Sequence, residues 1–559
     1  MSNDFVQYLN SLHNGSASNQ NAIAEMQIAS PYFASIQVKR RIVSFLKKKI
    51  ENKEFVILTG HAGDGKTTLL AQVLEELGRS QSKLKDLDTV DCGFQFHYVK
   101  DFSELTRAEQ IQELKQCFGF NGASLIIANT GPLLNAFKAL TGKEGIESEL
   151  LEAMDSSAGE EINITELGKV FILNIARIDN TDFIRPFISN LIADAHWTAC
   201  KNCPASNNCP VLFNQQILKE NTDRAISFIK NSYVWLQEYD RRATIRQITA
   251  HLTYAMTGGL SCHQIMKNAV PKLRYRYLFS NLFFGYVDNT PAKDAAQIRC
   301  ITLVNSAGFD KKQTVVDYDL FNKTDYNLYF SAPVASLFTQ ILQGGNYISP
   351  ENSQAVIKRA YLFFGQNSPE KNREQMKQTF SEWFDTYMDI RDRGMKPKDW
   401  LRKAICKSIN ALFVGEELDD SFPYINLTLR RNNEQTCNVQ LLAGQINIDD
   451  VRLKVVPIKT ISSASQWRLE LQTGNVNFPI GLPLLNYFAE IHRGIIMTDI
   501  DPLLSNGIDS LKAQLLSNHA AHKEENEDED EHAVRLIYMC GNQWRKRTLL
   551  ISNHSVDHE

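Results

Sequence analysis

A chain of 559 residues exceeds what one hydrophobic core supports, and at about 150 residues per domain it implies three or four domains. A hydrophobic content of 43% with 22% charged residues is that of a globular protein, and a formal charge of −4 excludes a globally basic nucleic-acid binder. No apolar run reaches the roughly 18 residues that span a bilayer, and Met1 to Phe5 lacks a basic export start, so a cytoplasmic protein without membrane contact is expected, its ten cysteines reduced and some available to metal.

Residues 1 to about 30 are polar and partly Asn/Ser-rich (Asn14 to Asn21), which reads as a mobile arm outside the core. From Ile36 to Ile50, Val38, Ile42, Val43, Phe45, Leu46 and Ile50 recur at helical spacing, with Lys39, Arg40, Arg41, Lys47, Lys48 and Lys49 on the other face. This basic amphipathic helix either lies beside a bound base or a nucleic-acid backbone, or is a solvated face.

Phe55 to Thr59 is an apolar strand running into Gly60-His61-Ala62-Gly63-Asp64-Gly65-Lys66-Thr67-Thr68, a complete phosphate-binding loop followed by a helix start. Gly60, Gly63 and Gly65 let successive backbone N–H groups point at phosphate oxygens, and the helix adds its positive end. Lys66 supplies a charge to the outer phosphates and the Thr67 hydroxyl a ligand to Mg²⁺, so the expected cofactors are ATP and Mg²⁺.

Three further apolar runs, Phe94 to Val99, Leu125 to Ala128 and Val170 to Ile175, alternate with helical stretches and predict an α/β core with a mainly parallel sheet, a P-loop NTPase of AAA-like type. Hydrolysis needs an acid at a strand end. Asp101 is the magnesium-side candidate and Glu104 a candidate base, although both also suit a helix cap. Asn129, in Ala128-Asn129-Thr130-Gly131-Pro132, is placed either to orient water at the γ-phosphate or to stabilise a tight turn. Asp179 is a competing acid.

Cys200, Cys203 and Cys209 fall within ten residues, among two prolines and three asparagines, and can converge on one metal. Cys262 is the expected fourth ligand, with His263 and His196 as substitutes, and Zn²⁺ or a [4Fe–4S] cluster fits such a set. Residues 210 to 270 read as a helical lid, in which Arg246 could reach the γ-phosphate or make surface ion pairs.

Residues 271 to 420 continue helical. From about 421, Ile425 to Leu429, Val451 to Val456 and Trp467 to Leu471 read as strands, and His532 to Leu550 as two more around Gly541-Asn542. The predicted organisation is 1–50 arm and basic helix, 51–198 nucleotide-binding core, 199–270 cysteine segment and lid, 271–420 helical domain, and 421–559 α+β domain with an acidic loop at 523–531. Arg430-Arg431 and Arg545-Lys546-Arg547 are further candidate contacts to DNA.

The Gly-His-Ala-Gly-Asp-Gly-Lys-Thr-Thr loop, Val99-Lys100-Asp101-Phe102-Ser103-Glu104, the Ala-Asn-Thr-Gly-Pro turn and Cys-x2-Cys-x5-Cys-Pro together resemble the DptF family, a component of phosphorothioation-dependent DNA restriction systems. The resemblance implies an ATP-binding motor or switch in anti-phage defence, with Gly60, Gly63, Gly65, Lys66 and Thr67 on the nucleotide. It implies as partners the other subunits of the complex and DNA, directly or through them; assembly with further copies of the chain is left open by the sequence. A nucleotide-gated scaffold with little hydrolysis is the alternative. No metal-nuclease constellation accompanies these motifs, so DNA cleavage by this chain alone is not expected.

Overall fold

A computed structural model describes residues 2–13, 30–79, 84–164, 167–323, 325–343, 348–415, 423–429, 438–461, 465–495, 500–524, 533–541, 543–551 and 556–558. The polar stretch 14–21, Arg430-Arg431 and most of the acidic run at 523–531 lie outside them. The chain forms two compact units, residues 1–372 with 459–464, and residues 373–458 with 465–559. The helical stretch 271–420 is thus divided between them.

The first unit is α/β. Its six-stranded sheet comprises β1 (Phe55–Thr59), β2 (Leu87–Asp91), β3 (Gln95–Val99), β4 (Ala123–Ile127), β5 (Glu160–Ile164) and β6 (Gly168–Asn174), in the order β2-β3-β4-β1-β6-β5. The four central strands are parallel, while β2 and β5 close the edges antiparallel, so the sheet is mixed. The helices used below are α1 (Asp4–His13), α2 (Arg41–Glu51), α3 (Lys66–Glu76), α4 (Arg107–Phe118), α5 (Thr130–Thr141), α6 (Ile146–Asp155), α7 (Ile184–Leu191), α8 (Pro210–Glu220), α9 (Thr222–Glu238), α10 (Ile245–Thr257) and α11 (Cys262–Lys267).

Strand periodicity explains why β1 is apolar throughout, since alternate side chains serve opposite faces and both are covered. Val56 and Leu58 pack with Ile42, Leu46 and Ile50 of α2 and Leu70, Val73 and Leu74 of α3. Phe55 and Ile57 pack on the other face with Leu114 of α4, Leu133 and Phe137 of α5 and Leu150 of α6. At about 25 cal/mol per Å² of apolar surface buried, these two layers are the main force fixing β1 at the sheet centre. The glycine loop from Gly60 to Gly65 therefore leaves a buried central strand at the carboxyl edge, where open α/β sheets bind ligands.

Two expectations are corrected. Residues 4–13 are not a mobile arm: they form α1, with Phe5, Val6, Leu9 and Leu12 buried and the helix packed on α10. Four apolar side chains on one face outweigh the polar residues between them. The basic helix begins at Arg41, not Ile36, because Arg40 is extended (φ −96°, ψ 151°) and Gln37 to Arg40 carry no helix.

In the second unit, strands at Tyr424–Thr428, Val439–Asn447, Ala533–Cys540, Gln543–Ile551 and Val556–His558 form one sheet, and Arg452–Ile458, Gln466–Thr473 and Val476–Ile480 another. Helix Asp399–Val414 packs against Leu482–His492 and against strand Tyr424–Thr428. No helix among the described residues is long and apolar enough to cross a membrane.

Candidate functional site

At the carboxyl edge of β1 the backbone takes left-handed or otherwise positive φ at Gly60 (150°), Gly63 (91°) and Gly65 (86°). A side chain at Gly60 would collide with Ile175, its Cβ falling 2.6 Å from Cγ1, and one at Gly63 would press on Thr244 and Arg246. Glycine is required there both by backbone conformation and by space.

Lys66, the first residue of α3, folds its ammonium back onto the loop. Nζ donates to the carbonyls of Gly60 (2.7 Å) and His61 (3.2 Å) and reaches Asn129 Oδ1 at 3.4 Å. Burial pulls the Lys66 ammonium below its ordinary range and Arg246 reinforces this, while Asp64 and Asp101 oppose it. A cation held only by neutral oxygens beside an open cavity is poised to exchange them for an anion.

Asp64 does not face the cavity as a free acid. It is fully buried, its Oδ2 accepts from the His61 N–H (3.1 Å), and its Oδ1 pairs with Arg242 Nη1 at 2.9 Å. Arg242 Nη2 also donates to the carbonyls of Ile175 (3.0 Å) and Ile178 (3.2 Å). Asn180 links this clamp to Ala243 by its Nδ2 (3.0 Å) and accepts from Arg40 Nη2 (3.1 Å). Burial, with Arg242 nearby, lowers Arg40 to about 10. A buried carboxylate inside the loop is tolerable only with such a partner.

The capping box of Thr244 and Gln247 starts α10 beside the loop, and the Arg246 N–H donates to the Gly63 carbonyl at 3.0 Å. The structure thus brings Arg246 to the glycine loop, as it does Asp101 and Asn129. All three line one cavity of about 300 Å³ with Gly63 to Thr68, His61 and Ala62. Asn129 is the N-cap residue of α5 yet makes no side-chain cap bond, and its N–H donates to Ser103 Oγ (3.2 Å). Asp101 lines the cavity while Oδ1 accepts from the Ser103 N–H (3.0 Å), so its capping role is realised as well.

Glu104 is not brought to the site. The helical turn capped by Asp101 carries it to the exposed surface, outside the cavity lining. Asp179 is likewise engaged elsewhere, accepting from the Thr181 N–H (2.7 Å) and hydroxyl (2.8 Å).

Away from the loop the same cavity becomes apolar, lined by Leu12 of α1, Phe33, Ile36, Val38, Phe183 just before α7, Phe187 of α7, and Ile245. Phe183 and Phe187 stack at 4.8 Å. The extended segment before α2 is fixed by Asn190 Nδ2 on the Gln37 carbonyl (3.2 Å) and Gln72 Nε2 on the Val38 carbonyl (3.1 Å). A polar, glycine-lined end and an apolar slot of this size suit a phosphorylated aromatic ligand.

A second small cavity gathers Cys200, Cys203, Cys209 and Cys262. Cys209 caps α8, its Sγ accepting from the Leu212 N–H at 3.5 Å, and the Ser261-Gln264 capping box sets Cys262 at the start of α11. Asn3 donates its N–H to Cys262 Sγ (3.4 Å) and its Nδ2 to Cys200 Sγ (3.2 Å). His263 is exposed and His196 stacks on Phe5 at 4.2 Å, and neither lines the cavity. Neither Asn3 nor the Asp64 clamp was legible in local sequence.

Comparison with protein-family models, with curated proteins and with solved structures finds no match to this chain. The residues themselves therefore carry the functional reading.

Among the described residues, one group of three candidate metal ligands has donor atoms all within 4.8 Å of one another, His97, Glu113 and Cys117. Both ring nitrogens of His97 are already engaged, Nδ1 with Thr89 Oγ1 (2.9 Å) and Nε2 with Glu113 Oε2 (3.1 Å). This is a satisfied buried polar pair between strand and helix, and it needs no ion.

Proposed function

We propose that the chain binds ATP and Mg²⁺ at Gly60 to Thr68 and acts as a P-loop ATPase, the motor or switch subunit of a phosphorothioation-dependent DNA restriction complex. The observation that supports this most is Lys66 held on loop carbonyls beside Asn129, at the mouth of a cavity that continues into an apolar slot. In this reading the backbone amides from His61 to Thr67 take the phosphates, Lys66 leaves Gly60 and His61 for the outer phosphate oxygens, and Thr67 ligates Mg²⁺. Asp101 supports the magnesium shell, Asn129 orients water, and Arg246 senses the γ-phosphate from α10. Leu12, Phe183 and Phe187 enclose the base. Because Arg246 N–H already bonds Gly63, closure of α10 follows the state of the loop.

The restriction role rests on the motif resemblance, with other subunits, DNA and further copies of the chain as partners. Lys39, just before α2, and Lys47 and Lys49 on it pair with Glu76, Glu51 and Glu54, so these charges are partly neutralised within the chain. Arg545, Lys546 and Arg547 are exposed on their strand and remain candidates. The second reading, a nucleotide-gated scaffold, is favoured by one observation: the Asp101 carboxylate is spent partly on capping.

Turnover of ATP measured with and without DNA separates the two. A rate that falls roughly 100-fold in Asn129→Ala while ATP affinity is kept supports hydrolysis, as loss of one polar group aligned with the transition state does elsewhere. Tight binding with no turnover in the wild type supports the scaffold.

A further inference from the structure

The cysteine pocket discriminates between the two metals that its ligand set admits. Four thiols converge, from the turn Cys200 to Cys209 and from the start of α11, so the ligand count suits zinc and an iron–sulfur cluster equally. Their spacing does not. Tetrahedral zinc with bonds of about 2.3 Å holds every pair of sulfurs at about 3.8 Å. Here no three of the four sulfurs lie within 4.8 Å of one another, that closeness being met only by His97, Glu113 and Cys117 among the described residues. In a [4Fe–4S] cluster each cysteine binds a different iron, at a different corner of the cube, so its sulfurs stand further apart around a shared centre.

Three features agree with the larger group. Cys203 and Cys209 are each followed by proline, which removes the backbone N–H next to each of these sulfurs, and Pro210 opens α8. Three sulfurs accept N–H donors, from Asn3 N, Asn3 Nδ2 and Leu212 N, and such bonds stabilise cluster thiolates. The wall is apolar, with Val6, Trp197, Val211 and Ile265 all buried, a shell that keeps solvent from iron and sulfide.

We propose that Cys200, Cys203, Cys209 and Cys262 hold a [4Fe–4S] cluster that ties the N-terminal segment, the irregular cysteine turn and α11 together. Each thiol gives up its proton as it ligates iron. Iron and sulfide are measured without nucleotide, so the outcome is independent of ATP binding at the loop.

The test is anaerobic purification of the full chain, or its reconstitution with ferric iron, sulfide and a thiol reductant that supplies the two electrons needed for two ferric and two ferrous ions, followed by metal and sulfide analysis and Mössbauer spectroscopy. The expected result is about four irons and four sulfides per chain with a broad visible absorption. Cys203→Ser and Cys262→Ser should lose most of the iron, while Cys406→Ser, a buried cysteine outside the pocket, should keep it. One zinc per chain without sulfide, no metal at all, or iron unchanged in Cys262→Ser overturns the proposal. The wild-type stoichiometry decides even where a variant fails to fold.

Discussion

The glycine loop Gly60 to Thr68 and the cysteine pocket belong to the same unit but are built in opposite ways. The loop presents consecutive backbone groups on one strand, turn and helix, and holds its shape through a buried ion pair to a residue 178 positions away. The pocket draws its four sulfurs from two segments and is closed by Asn3, 259 positions from Cys262. One site is local in its ligands and remote in its support, while the other is remote in both. The helices α1 and α10 run between them: Leu12 of α1 lines the cavity at the glycine loop and Asn3, just before α1, lines the thiol pocket, while α10 starts beside Gly63 and ends at Thr257, five residues before Cys262.

The largest expected effect breaks the loop's remote support. Arg242→Ala would leave the Asp64 carboxylate buried without its cation, at a cost of about 3–5 kcal/mol in chemical denaturation. A loss under about 1 kcal/mol would mean the clamp does not hold the loop. The double variant with Asp64→Asn should recover part of the loss, because the unpaired charge is then gone.

Next comes pH, acting on the helix shared by both sites. His251 of α10 is buried, its Nδ1 bonded to the Tyr233 hydroxyl (2.6 Å) and its Nε2 to the Phe283 carbonyl (2.8 Å), and burial pulls its pKa from 6.5 to about 4. His13 of α1, bonded to Thr257 at 3.1 Å, is lowered to about 4 by the same cause. Between these values the unfolded chain takes up protons that the folded one refuses. Stability present above pH 6.5 is therefore lost as the pH falls towards 4, by about 3 kcal/mol for His251 alone. Denaturation midpoints at stepped pH check this, and His251→Gln should flatten the slope across that window. An unchanged slope would show that His251 is not the titrating group.

The smallest effect sharpens the pocket side. Asn3→Ala removes Nδ2 from Cys200 and from the His196 carbonyl, and should cost about 1 kcal/mol. Amide exchange in α1 should quicken while exchange in α3 stays as it was. Equal acceleration in both would mean that the two sites share one local stability.

The contrast also explains what the chain discloses by itself. The run Phe55 to Thr68 is legible because strand, glycines and helix start are contiguous, and the central strands because both their faces are apolar. The edge strands Leu87–Asp91 and Glu160–Ile164 were not legible, since six of their ten residues are exposed, with the charged Asp91, Glu160 and Glu161 among them. The N-terminal helix was hidden by its shortness and polar content, although Phe5, Val6, Leu9 and Leu12 lie on one face. Nothing in the local sequence marks Arg242 and Asn180, which only the fold sets against Asp64. Glu104 shows the reverse error: its spacing from Asp101 suggested a base, and a single turn points it away.

The most direct measurement is calorimetric titration of Mg²⁺-ATP into the full-length protein and into Lys66→Ala. One ATP per chain, with affinity falling roughly 10-fold to 100-fold in the variant while its denaturation midpoint holds, is the expected result. Equal affinity in both proteins, or no binding by the wild type, would contradict a nucleotide site at Gly60 to Thr68.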